Sequence, residues 1–284
     1  KHLETDRQIL WVTYYRNLYN ATHPSEINSP VSLSRNLLAW NQPGTNGLIL
    51  PVNPSASFLS ILFANELWFT LGDMTMAEHC AMLSMIFSPR NSGSRMIKRL
   101  AEINLVNGDD EAALKYLRIL DKTLLHKSWA EKRIPGQQTP RVKEWLEKKR
   151  RDIPTQDQLR SGNDAVTSLQ NLVASNAGNL RAYEYLLCYH LLSKDLRSFV
   201  EDYVPGKVSS PIFAEALLIH LARQGNIRAE ELIKYQIPVE IAKEFADYTR
   251  LYEAKDTSLK EKYGKTYWFY YHFATTEPGK ESKP

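Results

Sequence analysis

The chain has 284 residues, of which 43% are hydrophobic and 24% are charged, and its formal net charge at pH 7 is +4. This composition is typical of a globular protein with a sizeable core. The small net charge argues against binding to nucleic acid or to an anionic membrane, because the chain as a whole has little electrostatic field to attract either. No secretory signal peptide and no run of about 18 or more uninterrupted apolar residues is visible.

The first 57 residues are predicted to form helices and a loop that pack on the rest of the chain. Helical patterns cover residues 6–19 and 32–40. Proline, glycine and asparagine are concentrated between residues 41 and 57, which predicts a loop. We assign residues 1–57 to this N-terminal region.

Two consecutive stretches, Ile61–Pro89 and Ile97–Leu125, each have the pattern of a helix, a Gly-Asp turn and a second helix. The turn glycines Gly72 and Gly108 lie 36 residues apart (108 − 72), close to the roughly 34-residue period of tetratricopeptide hairpins. In the second stretch, Asp109 is placed to cap the helix that follows the turn. These stretches predict helical hairpins.

Two later copies of the hairpin are weaker. One turn contains Gln224-Gly225-Asn226, and the other has Ser193-Lys194-Asp195 in place of the glycine. We therefore predict an all-α fold, an irregular tetratricopeptide-like α-α superhelix over residues 58–275. A sub-division of this region is placed near residues 131–163.

The middle of the chain is more polar. A helix is predicted to continue over residues 122–130, and a charged helix is predicted over residues 141–151. The latter ends in the basic run Lys148-Lys149-Arg150-Arg151. Because Glu144 and Glu147 are interleaved with the basic residues, a solvated helix face is favoured over the alternative, a patch that binds an anionic ligand.

The aromatic run Tyr267–Phe273 has two interpretations. The favoured one is a terminal helix that caps the hydrophobic end of the repeat array. The alternative is a stacking surface for a sugar or peptide, with Tyr267, Trp268 and Tyr270 as its candidate rings. Residues 276–284 are predicted to be a disordered tail.

Catalytic and metal-binding patterns are not found, so no catalytic residue, cofactor-binding residue, metal ligand or cofactor is assigned. His79 and Cys80 are adjacent on a predicted helix and point in different directions. His190 and His220 lie in apolar helices and are interpreted as core histidines. Cys80 and Cys188 are interpreted as small buried hydrophobes and not as a disulfide.

The favoured function is a non-enzymatic scaffold that binds a protein or peptide partner and no nucleic acid. The candidate groove residues are Arg95, Lys98 and Glu102, because the first helices of such hairpins commonly line the concave surface. Two alternatives stay open. One is a module that binds a glycan or another ligand through exposed aromatic rings, and the other is an accessory domain of a membrane-bound enzyme.

Three segments also carry a family resemblance. Residues Arg99–Gly108, Ala182–Leu187 and Tyr263–Trp268 resemble an uncharacterised bacterial family of unknown function. In that family a multi-spanning membrane portion typically precedes such a helical region. The resemblance therefore implies an extracytoplasmic, periplasmic domain that is anchored through a segment absent from this chain, with a cytoplasmic location as the alternative. It brings no activity or site residue.

Overall fold

The computed structural model describes residue 65 and residues 67–87, 94–155 and 165–273. Within these residues the chain is all-helical and has no strand. None of the helices in that part of the chain has both the length and the hydropathy needed to cross a bilayer. The predictions for residues 1–57, including the loop 41–57, and for the tail 276–284 lie outside the described residues.

The described residues belong to two compact units, the first ending at Tyr183 and the second beginning at Glu184. In the first unit, a helix that ends at Leu71 is followed by α1 (Met74–Phe87), α2 (Ser94–Asn107), α3 (Asp110–Asp121), α4 (Lys127–Glu131), α5 (Pro140–Arg150), α6 (Ala165–Ser175) and the start of α7 (Leu180–Leu192). The core between α1 and α2 contains Ala81, Met96 and Leu100. The core between α2, α3 and α4 contains Ala101, Leu117, Leu120 and Ala130.

The predicted Gly-Asp turns are confirmed. Gly72 and Gly108 have positive φ angles of 92° and 82°, and in each turn the following aspartate N–H donates back to the preceding helix, over 2.9 Å. This is the pattern of a Schellman motif, in which a left-handed residue ends a helix. Asp73 and Asp109 then each accept a backbone N–H of the next helix, also over 2.9 Å.

A third turn has the same geometry without a glycine. Lys194 has a φ of 57°, the N–H of Asp195 donates to His190 O over 2.9 Å, and the Asp195 carboxylate accepts the N–H of Ser198 over 3.0 Å. The turn therefore keeps both hydrogen-bond patterns, although a lysine stands at the strained left-handed position.

The helix predicted over residues 122–130 is interrupted. Helix α3 ends at Asp121 and α4 begins at Lys127. The Thr123 hydroxyl donates to Leu120 O over 2.7 Å and accepts the His126 N–H over 3.3 Å. These side-chain bonds compete with helical ones and explain the break.

The second unit contains the rest of α7 and then α8 (Leu196–Asp202), α9 (Pro211–Arg223), α10 (Ala229–Lys234), α11 (Val239–Glu253), α12 (Leu259–Tyr263) and α13 (Tyr267–Phe273). Helix α9 packs against α8, α11 and α13. The core of the second unit is rich in aromatic residues, and its largest fully buried side chains include Phe199, Phe213, Tyr248, Tyr267 and Trp268.

Candidate functional site

Two adjacent residues near the end of α5 bind the ends of two other helices. Lys149 Nζ donates to Phe69 O over 3.2 Å. Arg150 donates through Nε to Val106 O over 3.0 Å and through a terminal nitrogen to Leu105 O over 2.8 Å. These carbonyls lie just before the Gly72 and Gly108 turns, so cations compensate the negative ends of both helix dipoles.

The helix that ends at Leu71 has two more distant partners. Arg181 donates to Thr70 O over 3.2 Å, and Asn179 Nδ2 donates to Leu71 O over 2.7 Å. Arg181 also lies 3.5 Å from the Asp152 carboxylate. Three successive terminal carbonyls are thus satisfied from α5 and α7, which fixes this helix within the first unit.

The interpretation of the basic run as a solvated helix face holds for Lys148, Arg150 and Arg151, which are exposed, although Arg150 also binds backbone carbonyls. It is wrong for Lys149, which is half-buried and binds Phe69 O. The interleaved glutamates Glu144 and Glu147 are exposed, as predicted for a solvated face. The carbonyl acceptors could not be recognised from the sequence, because they lie far away along the chain.

Cations also surround the Phe69 ring. The Arg99 guanidinium carbon lies 3.8 Å from the ring centroid, Lys149 Nζ lies 4.6 Å from it, and the Trp145 ring stacks at 6.4 Å. Burial lowers the pKa of Lys149 to about 7, and the positive charges of Arg181 and Arg99 add to this lowering. The local positive charge thus exceeds what the nearby carboxylates compensate.

We expect Lys149→Met to remove a pH-dependent part of the stability. The pKa of Lys149 is about 7 in the folded chain and 10.5 in its ordinary state, so the unfolded chain binds more protons between these values. Stability of the unsubstituted protein should therefore rise with pH over this window, by about 2–4 kcal/mol from this group. Urea titrations at several pH values should show a flatter profile for Lys149→Met.

The exposed neighbour provides the control for that experiment. Lys148→Met should keep the pH profile of the unsubstituted protein, because Lys148 is exposed. A Lys149→Met profile that rises as steeply as that of the Lys148→Met variant would contradict the assignment.

A second group of cations lies around Trp129. Lys98 Nζ is 4.9 Å and the Arg133 guanidinium carbon is 4.1 Å from the Trp129 ring centroid. Arg133 also donates to Trp129 O over 3.2 Å, while its buried Nε has no hydrogen-bond partner in the described part of the chain. Burial lowers the pKa of Arg133. The negative charge of Glu102 opposes this shift, and the positive charge of Arg141 adds to it.

Of the three predicted groove residues, Lys98 lies at this ring. Arg95 is exposed, Lys98 contacts Trp129, and Glu102 is bound by Arg99 over 3.1 Å with its side chain only 13% exposed. Sequence reasoning missed Trp129 and Arg133, although their i, i+4 spacing was a usable signal. We call Lys98, Glu102, Trp129, Arg133 and Arg141 the Trp129 patch.

The candidate aromatic surface of α13 is largely inaccessible. Tyr267 and Trp268 are fully buried. The Tyr267 hydroxyl donates to Leu191 O over 2.8 Å, and the partly buried Tyr270 donates to Leu192 O over 2.7 Å. The first two rings therefore offer no stacking face to a ligand. Phe273, at the end of the helix, is 49% exposed.

Glu215 connects α9 to α13. Its carboxylate accepts the N–H of Tyr267, and its main-chain oxygen accepts Trp268 Nε1 over 2.9 Å. Burial raises the pKa of Glu215 to about 7, the Tyr267 N–H opposes this shift, and the charge of Glu244 adds to it. These contacts give Glu215 a positioning role for the aromatic helix.

The histidines and cysteines have structural surroundings. His190 is buried and lies 2.9 Å from the Asp202 carboxylate, and His220 lies 3.0 Å from the Gln224 amide. Cys80 and Cys188 are free and buried, which confirms their interpretation as small core residues. Among the described residues, no group of three or more histidine, cysteine or acidic side chains is arranged to hold a metal ion.

The model of a family of unknown function matches residues 31–274. No curated protein and no solved structure is detectably similar to the chain.

Proposed function

Because the chain belongs to this family, DUF6057, whose function is unknown, we propose from its own geometry that it is a non-enzymatic interaction scaffold. In this proposal the Trp129 patch binds an acidic segment of a partner protein. The single observation that carries the proposal is the presence of two cations, Lys98 and Arg133, over a partly exposed tryptophan ring.

The charges of the patch favour an acidic partner. Its cations are Lys98, Arg133 and Arg141, and its carboxylate, Glu102, is already paired with Arg99. Acidic side chains of a partner would add charge-assisted hydrogen bonds to these cations. Trp129 adds an aromatic contact of the kind enriched at binding hot spots.

The tetratricopeptide-like architecture is part of the same proposal. It is supported by the turns at Gly72, Gly108 and Lys194, which share a left-handed residue followed by a capping aspartate. Stacked hairpins of this kind bury a continuous core and leave extended faces for partners. An extracytoplasmic location and a membrane anchor outside this chain are proposed on the family resemblance alone.

We expect a fluorescein-labelled peptide rich in aspartate and glutamate to bind the protein, and a lysine-rich peptide of equal length not to bind. The double variant Lys98→Glu with Arg133→Glu reverses two charges and should weaken the affinity for the acidic peptide about tenfold or more. Binding should also weaken as salt is raised, because the contacts are partly exposed ion pairs. Fluorescence anisotropy measures both effects.

Lys260→Glu is the control for this experiment, since Lys260 is an exposed lysine on α12 in the second unit. It changes the net charge in the same direction and should leave peptide affinity unchanged. Far-UV circular dichroism checks that the double variant stays folded. Absence of binding to the acidic peptide, or equal loss in the Lys260→Glu variant, would refute the proposed site.

A further inference from the structure

The turn between α3 and α4 carries two leucines that none of the residues described by the structure covers. Leu124 is 102% exposed and Leu125 is 89% exposed, so both side chains meet as much water as in an extended peptide. Residues that line a groove are shielded by its walls. Exposure this complete means that the two leucines project from the surface, and we call them the Leu124–Leu125 tip.

The neighbours of the tip hold it in place. The Thr123 hydroxyl bonds to Leu120 O over 2.7 Å, and the N–H of Lys127 donates to Thr123 O over 3.1 Å. On the other side, His126 Nε2 lies 2.7 Å from the Ser94 hydroxyl on α2. The backbone on both sides of the leucines is therefore anchored, and their exposure does not come from an untethered loop.

The surroundings of the tip are basic. Arg118, Lys122 and Lys127 are exposed, and Asp121 is the one acidic residue between positions 118 and 127. Ile119, at 48% exposure, extends the apolar surface along α3. At an anionic lipid surface, negatively charged headgroups lie outside the hydrocarbon. An apolar projection with cations on both sides fits this arrangement, because the cations can meet the headgroups while the apolar side chains enter the hydrocarbon.

We propose that the Leu124–Leu125 tip inserts into the interface of an anionic bilayer while Arg118, Lys122 and Lys127 contact lipid headgroups. A protein partner would need a pocket shaped for the tip, whereas a bilayer interface accepts a projecting side chain of any shape. The flanking cations select an anionic surface over a neutral one. This proposal uses residues outside the Trp129 patch and does not depend on peptide binding there.

Vesicle flotation of the full chain tests the proposal. Vesicles of phosphatidylcholine mixed with phosphatidylglycerol should carry the protein to the top of the gradient, and vesicles of phosphatidylcholine alone should carry much less. Leu124→Ser with Leu125→Ser should lower the partition coefficient about tenfold or more, because two apolar side chains lose their transfer into lipid. Lys122→Glu with Lys127→Glu should lower it on the anionic vesicles.

The control is Ile233→Ser, because Ile233 is an apolar side chain of the second unit that is 77% exposed. Its flotation should match that of the unsubstituted protein. All substituted positions are exposed, and a thermal scan verifies that each variant is folded. Failure of the unsubstituted protein to float, equal flotation of the double serine variant, or equal binding to both kinds of vesicle would each overturn the proposal.

Discussion

Replacing Gly72 with alanine is expected to destabilise the protein by about 2–5 kcal/mol, whereas the same change at Gly108 is expected to cost only about 1–2 kcal/mol. Both glycines have positive φ angles, 92° and 82°, so both variants incur the left-handed strain of an L-residue. The difference between them comes from the space around each turn.

A Cβ atom at Gly72 would lie 2.2 Å from Asp152 O, which is a backbone atom that no rotamer change can move. At Gly108, a Cβ would have no neighbour within 4 Å. Asp152 is held near the turn because Asn179 Nδ2 donates to Asp152 O over 2.8 Å. The chain must therefore shift in the Gly72→Ala variant, and hydrogen bonds to the end of this helix weaken.

Guanidinium titrations of the two alanine variants, followed by far-UV circular dichroism, measure this difference. The pair is matched in residue type, turn type and substitution, so the strain common to both cancels. Equal destabilisation in the two variants would show that Asp152 does not approach Gly72 in solution.

The sequence was sufficient to predict what depends on local chemistry. Helical periodicity and the Gly-Asp pairs at residues 72–73 and 108–109 located two turns and the capping aspartates, because left-handed backbone and N-caps each favour a few residue types. It placed a weaker copy of the turn at Ser193-Lys194-Asp195, but it did not predict the left-handed backbone there, since a lysine carries no signal for positive φ. It also missed the break after Asp121, where a single threonine redirects the backbone.

Contacts between residues far apart in the chain could not be predicted from the sequence pattern. Lys149 binds a carbonyl 80 residues earlier in the chain, and Arg181 binds one 111 residues earlier. A basic run has the same sequence pattern whether its side chains face water or bind the terminal carbonyls of a helix that is distant in the chain. The groove residues show the same limit, because helical spacing placed Lys98 on an outer face and could not reveal that Trp129 lies against it.

Trp268→Ala is expected to cost about 3–5 kcal/mol of folding free energy. The indole is fully buried and lies 5.2 Å from the Phe245 ring and 5.5 Å from the Tyr248 ring, between centroids. Its removal leaves a large cavity between α11 and α13. It also removes the hydrogen bond from Nε1 to the main-chain oxygen of Glu215, which adds to the loss.

Two further variants separate these contributions. Trp268→Phe keeps most of the aromatic packing and removes the donor, so it should cost about 1–3 kcal/mol. Phe273→Ala removes a ring that is 49% exposed at the end of the same helix, and should cost about 1 kcal/mol or less. Denaturant titration ranks the three. If Trp268→Ala unfolds no earlier than Phe273→Ala, the indole is not a core residue. Trp268 would then again be a candidate ring for stacking a ligand on α13.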